Sequence, residues 1–134
     1  MAGIVFSFMN FESLISLNIG IADRIDENRS ESFTILFCDF DAVERSVIDT
    51  SLQEILRTSD AIVHYDNYYF FVLPYTDKYG ATIVKNMFEE FFNIYIPSSV
   101  VSYPVNGETA KDLLEALQTK VKIDTNLYLE CLDI

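Results

Sequence analysis

Two pairs of residues have the spacing at which their side chains could act together on a ligand. Asp39 and Asp41 stand two positions apart, directly after an apolar run, where carboxylates could bind a metal ion. Arg57 and Asp60 stand three positions apart, where a guanidinium and a carboxylate could bind a phosphate and a base edge. Each pair also has a structural interpretation. Asp41 could cap a following helix and Asp39 could end a strand, while Arg57 could complement a helix dipole and Asp60 could open a strand.

A tight turn follows these pairs and carries no catalytic groups of its own. Asp66 and Asn67, which tolerate positive φ angles, separate two β-rich runs and suit a hairpin. Tyr68 and Tyr69 come next, and a phenol with a pKa near 10 stays neutral at pH 7 and is a poor ligand for Mg²⁺. His64, the only histidine, has no serine or cysteine arranged with it as a catalytic triad, so we interpret it as structural. The sequence therefore predicts a protein that is not an enzyme.

The elements that must position these residues alternate between strands and helices. Apolar spacing and capping residues predict a helix from Asn10, as N-cap, to Ile25; strand 33–38; a helix over 42–57; strands 61–65 and 68–73; a helix from Thr76 and Asp77 to 92; strand 98–103; a helix from Thr109 to Lys122; and a last strand, 127–132. The central order is βαββαβ, which is typical of ferredoxin-like and palm domains with a largely antiparallel sheet. In that topology the first core strand pairs with the third, so Asp39 should lie close to the hairpin turn.

Length and composition predict one α/β domain over residues 1–134. Half of the 134 residues are hydrophobic, enough for one continuous core but too few for two. We expect residues 1–28 to be an N-terminal helical segment and 32–134 to be the α/β core. Residues 3–22 are long enough to span a membrane, but polar residues interrupt them and no basic segment precedes them, so a docking helix is the better prediction.

The charge balance and the cysteines exclude further classes of function. Nine basic and 21 acidic residues give a net charge of −12, which disfavours nucleic acid and anionic membranes as partners. Cys38 and Cys131 have no metal-binding spacing, so we expect buried thiols, no metal cofactor and a reducing cytoplasm.

The order of three segments resembles the GGDEF family of bacterial diguanylate cyclases over roughly residues 10–132. The segment FTILFCDFD is similar to the family's first strand with its DxD ending. The segment RTSDAIVHYDNYYFFVLP is similar to RxxD, five residues, the GGDEF signature and a hydrophobic strand ending in proline. The segment VVSYPVNGETAKDLLEAL is similar to a later strand and helix of the family.

The departures from the family pattern concern the residues that would carry the reaction. Aligned on Phe70, the signature Gly-Gly-Asp-Glu becomes Asp66, Asn67, Tyr68 and Tyr69. The resemblance implies that the glycines let the nucleotide approach and that the acids bind metal and support the transition state. The family segment ND…GH..GD for the base and triphosphate is also missing.

Two hypotheses for function follow from the resemblance and its departures. The first is an inactive GGDEF-like signalling domain that binds cyclic di-GMP through Arg57 and Asp60, the positions of the family's inhibitory site, with Asp39 and Asp41 as vestigial metal ligands and no cofactor. Lys78 and Lys85 are the only loose candidates for a second cation there. The alternative is a protein-interaction or dimerisation module without a nucleotide ligand, which uses the N-terminal helix or a tyrosine surface at Tyr65, Tyr68 and Tyr69; those tyrosines could equally be cross-strand packing.

Overall fold

A computed structural model of the protein describes residues 3–25 and 31–133. Within these ranges the α-helices are α1 Phe11–Ile25, α2 Arg45–Ile55, α3 Lys78–Phe92 and α4 Ala110–Thr125. The strands are β1 Ile4–Val5, β2 Glu31–Asp39, β3 Ala61–Tyr65, β4 Tyr68–Pro74 and β5 Ser98–Pro104. The predicted α+β class and the βαββαβ order of the core, which runs from β2 to β5, are therefore confirmed.

The strands form one sheet in the order β1-β3-β4-β2-β5. All pairs within the core are antiparallel, and β2, the first core strand, lies between β4 and β5. The prediction that the first core strand pairs with the third is thus confirmed. Short β1 pairs in parallel with the outer edge of β3 and was not predicted.

Helices cover both faces of the sheet, which explains why β2 is apolar on both sides. Phe33 and Phe37 of β2 pack in a core with α1 and α4. Leu36 and Cys38 point the other way and pack in a second core with α2 and α3. Successive side chains of a strand leave the sheet on opposite faces, so a continuous apolar run is what a strand between two helix layers requires.

The N-terminal helix docks on the core, whereas the sequence predicted a docking helix without deciding between the core and a partner. Phe11, Leu14 and Ile15 of α1 are buried and belong to the core that contains α4. No helix among the described residues is long and apolar enough to cross a membrane. The predicted boundary near residue 28 lies outside the described residues.

Two of the predicted helix caps are present and two are wrong. Asp77 accepts a hydrogen bond from the Gly80 backbone N–H, and Thr109 accepts one from that of Asp112. Asn10 does not cap α1, because a 3₁₀ turn over Phe8–Asn10 precedes the helix and is capped by Ser7.

Asp41, the second wrong cap, lies in a turn before α2 rather than at its start. The helix begins at Arg45, with Glu44 as an N-cap that makes no side-chain hydrogen bond. The Asp41 carboxylate instead accepts a hydrogen bond from the side chain of Asn67 in the hairpin turn, at 3.3 Å. A contact across 26 residues of sequence therefore replaces the local cap.

The predicted last strand, 127–132, is also wrong. The chain leaves α4 after Thr125 and makes a 3₁₀ turn over Glu130–Leu132. Leu129 and Leu132 are buried against the core that contains α1 and α4. Their three-residue spacing suits a 3₁₀ turn, in which side chains three positions apart align. Burial under the helix layer thus takes the place of pairing in the sheet.

Candidate functional site

The hairpin between β3 and β4 places the residues that align with the GGDEF signature at one end of the sheet. Asp66 adopts the left-handed conformation with φ 53°, a backbone that glycine adopts without strain and that Asp tolerates. The carbonyl of Asn67 accepts a hydrogen bond from the Phe40 backbone N–H at 2.9 Å, and the Asn67 side chain donates to Asp41. The predicted proximity of the DxD segment and the hairpin turn is confirmed.

Asp39 and Tyr68 are directly paired across β2 and β4. Both side chains therefore leave the sheet on the same face. Burial raises the pKa of the Asp39 carboxyl. The carboxylate accepts a hydrogen bond from the Asp41 backbone N–H at 3.0 Å, which lowers the pKa by a smaller amount. Burial, followed by the charges of Asp39 and Asp41, raises the pKa of the Tyr68 phenol. The Tyr68 phenol therefore stays protonated at neutral pH.

The two vestigial metal candidates are close together but lack a third ligand. Asp41 donates its backbone N–H to the carboxylate of Asp39 and accepts from Asn67. No group of three or more His, Cys, Asp or Glu side chains in residues 3–25 and 31–133 is arranged to hold a metal ion. Mg²⁺ sheds its water shell reluctantly, so two carboxylates in this arrangement are a weak site at best.

Tyr69 points to the opposite face of the sheet and is part of the core. It is 2% exposed, and its ring stacks on His64 with centroids 4.8 Å apart and packs against Phe40 at 5.0 Å. Burial raises the pKa of its phenol. His64 also hydrogen-bonds the carbonyl of Asp66 at 3.1 Å. Tyr69 is therefore a packing residue, which was one of the two interpretations of the tyrosines, and His64 contacts a core ring and the hairpin backbone.

Arg57 and Asp60 are brought together as an ion pair with each other. Two guanidinium nitrogens of Arg57 donate to the Asp60 carboxylate, at 2.8 Å from Nη2 and 3.2 Å from Nε, and the Arg57 backbone N–H donates at 2.8 Å. Nη2 also donates to the carbonyl of Pro74 at 2.8 Å and to the hydroxyl of Thr76 at 3.0 Å. The Asp60 side chain is 2% exposed, whereas that of Arg57 is 52% exposed. Asp60 is therefore closed to an external ligand, and Arg57 is half open.

A cleft of about 600 Å³ opens beside the guanidinium of Arg57. Its lining residues also include Glu31, Asp77 and Gly80. Arg57 is the only cation among these described lining residues, and Glu31 and Asp77 add two carboxylates to the same lining. Neither Lys78 nor Lys85 is among these lining residues, and Lys85 pairs with Glu89 at 3.2 Å.

A second cavity, of about 420 Å³, lies at the hairpin end and was not found from the sequence. Tyr65 and Tyr68 line it together with Tyr128, Glu130 and Cys131 from the segment after α4. Burial raises the pKa of the half-buried Cys131 thiol to about 11. The wrong prediction of a strand over 127–132 concealed this cavity, because it placed Tyr128 and Glu130 in the sheet rather than across from the hairpin.

Comparison with solved structures identifies the fold. The GGDEF domain of YfiN (TpbB) from Pseudomonas aeruginosa matches with a TM-score of 0.65 at 16% identity, covering 88% of each chain. A truncated form of the same protein that comprises only its GGDEF domain gives 0.69 at 15%, covering 91% of this chain and 85% of that one. A sensory box/GGDEF family protein from Caulobacter crescentus gives 0.60 at 12%, covering 90% and 93%. No family model and no curated protein sequence matches the chain.

These structural matches assign the chain a fold. The chain has the fold of GGDEF domains, as the order of its sequence motifs predicted. At these identities the likeness establishes the fold alone. At the positions that align with the GGDEF signature, the chain has a tight turn at Asp66 and Asn67, followed by the half-buried Tyr68 and the buried Tyr69.

Proposed function

We propose that this chain is a cytoplasmic bacterial signalling domain with the GGDEF fold that does not cyclise GTP. The observation that carries the proposal is the pairing of Tyr68 with Asp39 across β2 and β4. A protonated phenol stands where a metal-binding carboxylate would be needed. A hard cation such as Mg²⁺ binds anionic or strongly polar oxygens, and a phenol whose pKa is raised supplies neither.

The other signature position supports the same proposal. Tyr69 fills the core between the sheet and the layer of α2 and α3, in contact with Phe40 and His64. A carboxylate at this position would be buried among aromatic rings, at a cost of several kcal/mol unless it were paired. The core packing of Tyr69 therefore supports the proposal that no catalytic acid acts at this position.

Turnover of GTP in the presence of Mg²⁺ is the direct test. Purified protein at tens of micromolar is incubated with GTP, and the products are separated by chromatography. We expect no cyclic dinucleotide above a protein-free control. A product that increases with protein concentration and disappears in Asp39→Asn would contradict the proposal.

The ligand that we propose for this domain is cyclic di-GMP, bound in the cleft beside Arg57. The Arg57 side chain lines the cleft and is 52% exposed, and a charge-assisted hydrogen bond to a phosphate is among the stronger polar contacts available. Glu31 and Asp77 line the same cleft and oppose an anion. Because Asp60 is occupied by Arg57, the guanidinium alone would hold the phosphate.

Calorimetric titration of cyclic di-GMP tests this ligand with a matched pair of variants. Asp60→Asn removes the buried carboxylate but keeps Arg57, whereas Arg57→Met with Asp60→Asn removes the guanidinium as well. Comparison of these two avoids an unpaired buried charge in either. We expect the single variant to bind and the double variant to bind at least tenfold more weakly. Equal affinities, or no binding by wild type at micromolar protein, would exclude Arg57 as the recognition residue.

A row of exposed apolar side chains on α3 favours dimerisation as a second candidate function. Tyr79, Ile83, Met87 and Phe91 stand at every fourth position and are between 76% and 40% exposed. A twofold axis at the middle of the row would place Tyr79 against Phe91 and Ile83 against Met87 of a second copy, as an isologous interface requires.

The charges of α3 support a second copy as the occupant of this face. The helix has Lys78 at its N-terminal end and Glu90 near its C-terminal end, while Lys85 at its middle pairs with Glu89 of the same helix, in a chain of net charge −12. Antiparallel pairing therefore brings opposite charges and opposite helix dipoles together, and it joins the molecules at an electrically neutral face.

Light scattering of the eluting protein tests the dimer. We expect a dimer for wild type at about 100 μM, a monomer for Ile83→Glu, and a dimer for the control Ile123→Glu, which changes an exposed isoleucine of α4. A wild-type monomer at that concentration would contradict the dimer, and so would equal effects of the two variants.

A further inference from the structure

The 420 Å³ cavity at the hairpin end is walled by three aromatic rings. Tyr65 and Tyr68 are paired across β3 and β4, so their side chains stand next to each other on one face of the sheet. Tyr128 faces them from the segment after α4, with Glu130 and Cys131 beside it. Together these side chains line a cavity of about 420 Å³, which is the space open to a ligand.

Each ring is held in place by groups behind it. Tyr65 packs edge-on against Phe8 at 5.5 Å, and Tyr68 packs against Phe37 at 5.8 Å. The hydroxyl of Tyr128 donates to the carboxylate of Asp133, whose oxygens lie at 2.7 and 2.8 Å. The cavity walls are therefore largely arranged before a ligand arrives, which reduces the entropy lost on binding.

The anchor of Tyr128 is itself fixed. Asp133 accepts a second hydrogen bond, at 2.9 Å, from the amide of Gln118, which also donates to the carbonyl of Leu129. Bonding of the Asp133 carboxylate to Tyr128, and then to Gln118, lowers the pKa of Asp133. Asp133 therefore remains charged at neutral pH and adds a negative charge behind the Tyr128 ring.

The charges around the cavity all have the same sign. Glu130 is part of the wall, and Asp39, Asp41 and Asp66 act on the Tyr68 phenol. Asp66 and Asp133 act on the Cys131 thiol. No Lys or Arg stands among these described lining and neighbouring residues. The field in the cavity therefore repels phosphates and carboxylates and attracts cations.

Aromatic faces and carboxylates select one chemical class of ligand. The face of a phenol ring carries partial negative charge and attracts an ammonium or guanidinium placed over it, and cages of several rings are the recurrent protein sites for such groups. A hard, strongly hydrated ion such as Mg²⁺ gains little from ring faces, whereas a guanidinium is weakly hydrated and stacks on them.

We propose that this cavity binds the guanidinium or ammonium group of a basic side chain presented by a protein partner. The inference deepens the signalling function proposed above, because it assigns the hairpin end a ligand of opposite charge to a nucleotide. It requires neither cyclic di-GMP binding nor the α3 dimer. Its failure would leave the prediction of no GTP turnover unaffected, and that measurement would remain a separate test of the proposed function.

The probe is a capped tripeptide, acetyl-Gly-Arg-Gly-amide, added to the intact protein with ring-labelled tyrosine and followed by NMR. The matched control is the same peptide with citrulline, which has nearly the shape of arginine but no charge. A third peptide with trimethyl-lysine distinguishes a guanidinium from an ammonium ligand. We expect saturable shifts of the tyrosine rings with one or both cationic peptides at millimolar concentration, and none with citrulline.

Variants locate the binding. Tyr128→Ala removes a half-exposed ring and should weaken the binding about two- to fivefold, the typical contribution of one exposed cation–aromatic contact. Glu130→Gln, at an exposed position, should weaken the binding of the cationic peptides more at low salt than at high salt. Tyr79→Ala, which removes an exposed tyrosine of α3, should have no effect.

Three results would overturn the proposal. These are the absence of saturable shifts with either cationic peptide, equal binding of the citrulline peptide, and unchanged affinity in both Tyr128→Ala and Glu130→Gln. Circular dichroism of each variant establishes that it is folded. Both variants are measured, so loss of folding in one leaves the other as the test.

Discussion

Tyr68 pairs with Asp39 across the central strands, so a neutral phenol and a carboxylate leave the sheet side by side on one face. The same register that would bring two acids together around a metal ion here brings together one acid and a ring. Burial works against the charge of the Asp39 carboxylate.

Replacement of Tyr68 by aspartate should create a weak Mg²⁺ site and a dependence of stability on the metal. Two carboxylates directly opposite each other repel, so Tyr68→Asp should lower the melting temperature in chelator. Millimolar Mg²⁺ should restore part of the loss, because a cation that binds only the folded state stabilises it. Melting is followed by circular dichroism with and without Mg²⁺. Tyr68→Asn, which brings no charge, is the control, and an equal response of both variants to Mg²⁺ would contradict the expectation.

Asp39→Asn should stabilise the protein at pH 7 but not at pH 3. The pKa of Asp39 is raised in the folded state, so the folded protein binds its proton more tightly than the unfolded chain does. The protein is therefore most stable below the ordinary pKa of about 3.8, and its stability falls as the pH rises towards the raised pKa. Above the raised pKa the full free-energy penalty of the buried carboxylate charge remains. Asparagine removes that penalty and keeps an oxygen for the Asp41 N–H.

The control for this prediction is Glu115→Gln, which removes an equally negative but exposed charge from α4. Both variants reduce the net charge by one unit, so only the difference between them reports on the burial of Asp39. Melting temperatures are compared at pH 3 and pH 7. A gain for Asp39→Asn that is the same at both pH values would argue against a raised pKa as the cause.

Arg57 and Asp60 should be strongly coupled in stability. Arg57→Met leaves the buried Asp60 carboxylate with the Arg57 backbone N–H and no cation, at a cost of about 1–3 kcal/mol. The half-exposed guanidinium places the value towards the lower end of that range. Removal of both charges should cost less than the sum of the single changes by at least about 0.5 kcal/mol. Urea unfolding of the two single variants and the double variant measures this, and additive free energies would contradict the coupling.

Phe40→Ala should be among the most destabilising single changes in the protein. Phe40 follows β2 immediately, is fully buried and contacts the rings of Tyr69, Phe88 and Phe92. Truncation of such a ring typically costs about 3–5 kcal/mol. Phe91→Ala, which shortens a phenylalanine that is 40% exposed on α3, should cost less than about 1 kcal/mol. Similar losses in urea unfolding would mean that the packing around Phe40 is not as described.

The sequence predicted the core elements well because their signals are local and repeated. The strand 33–38 is apolar on both sides because helices cover both faces, and Asp77 and Thr109 lie at the helix starts that their types indicate. The hairpin turn was identified from two residues that tolerate positive φ, of which one, Asp66, adopts it. In each case the residue types sufficed without knowledge of distant contacts.

The wrong predictions concern residues whose partners are far away in sequence. Asp41 was expected to cap α2, but its partner is Asn67, and no local pattern announces that contact. Leu129 and Leu132 are equally compatible with a strand and with a 3₁₀ turn, and burial against the helix layer decided between them. The cavity with Tyr128 depends on the same choice, so it could not be anticipated once a strand had been assigned.

The small strand β1 has a consequence for the behaviour of the protein at high concentration. By hydrogen bonding along β3, where the Ile4 N–H donates to the Asp60 carbonyl and the Phe6 N–H to that of Ile62, it occupies an edge at which another molecule could add a strand. The opposite edge is β5, which follows Pro97 and ends at Pro104, two residues that have no N–H to offer. Both features work against the addition of a strand from another molecule to this aromatic-rich sheet.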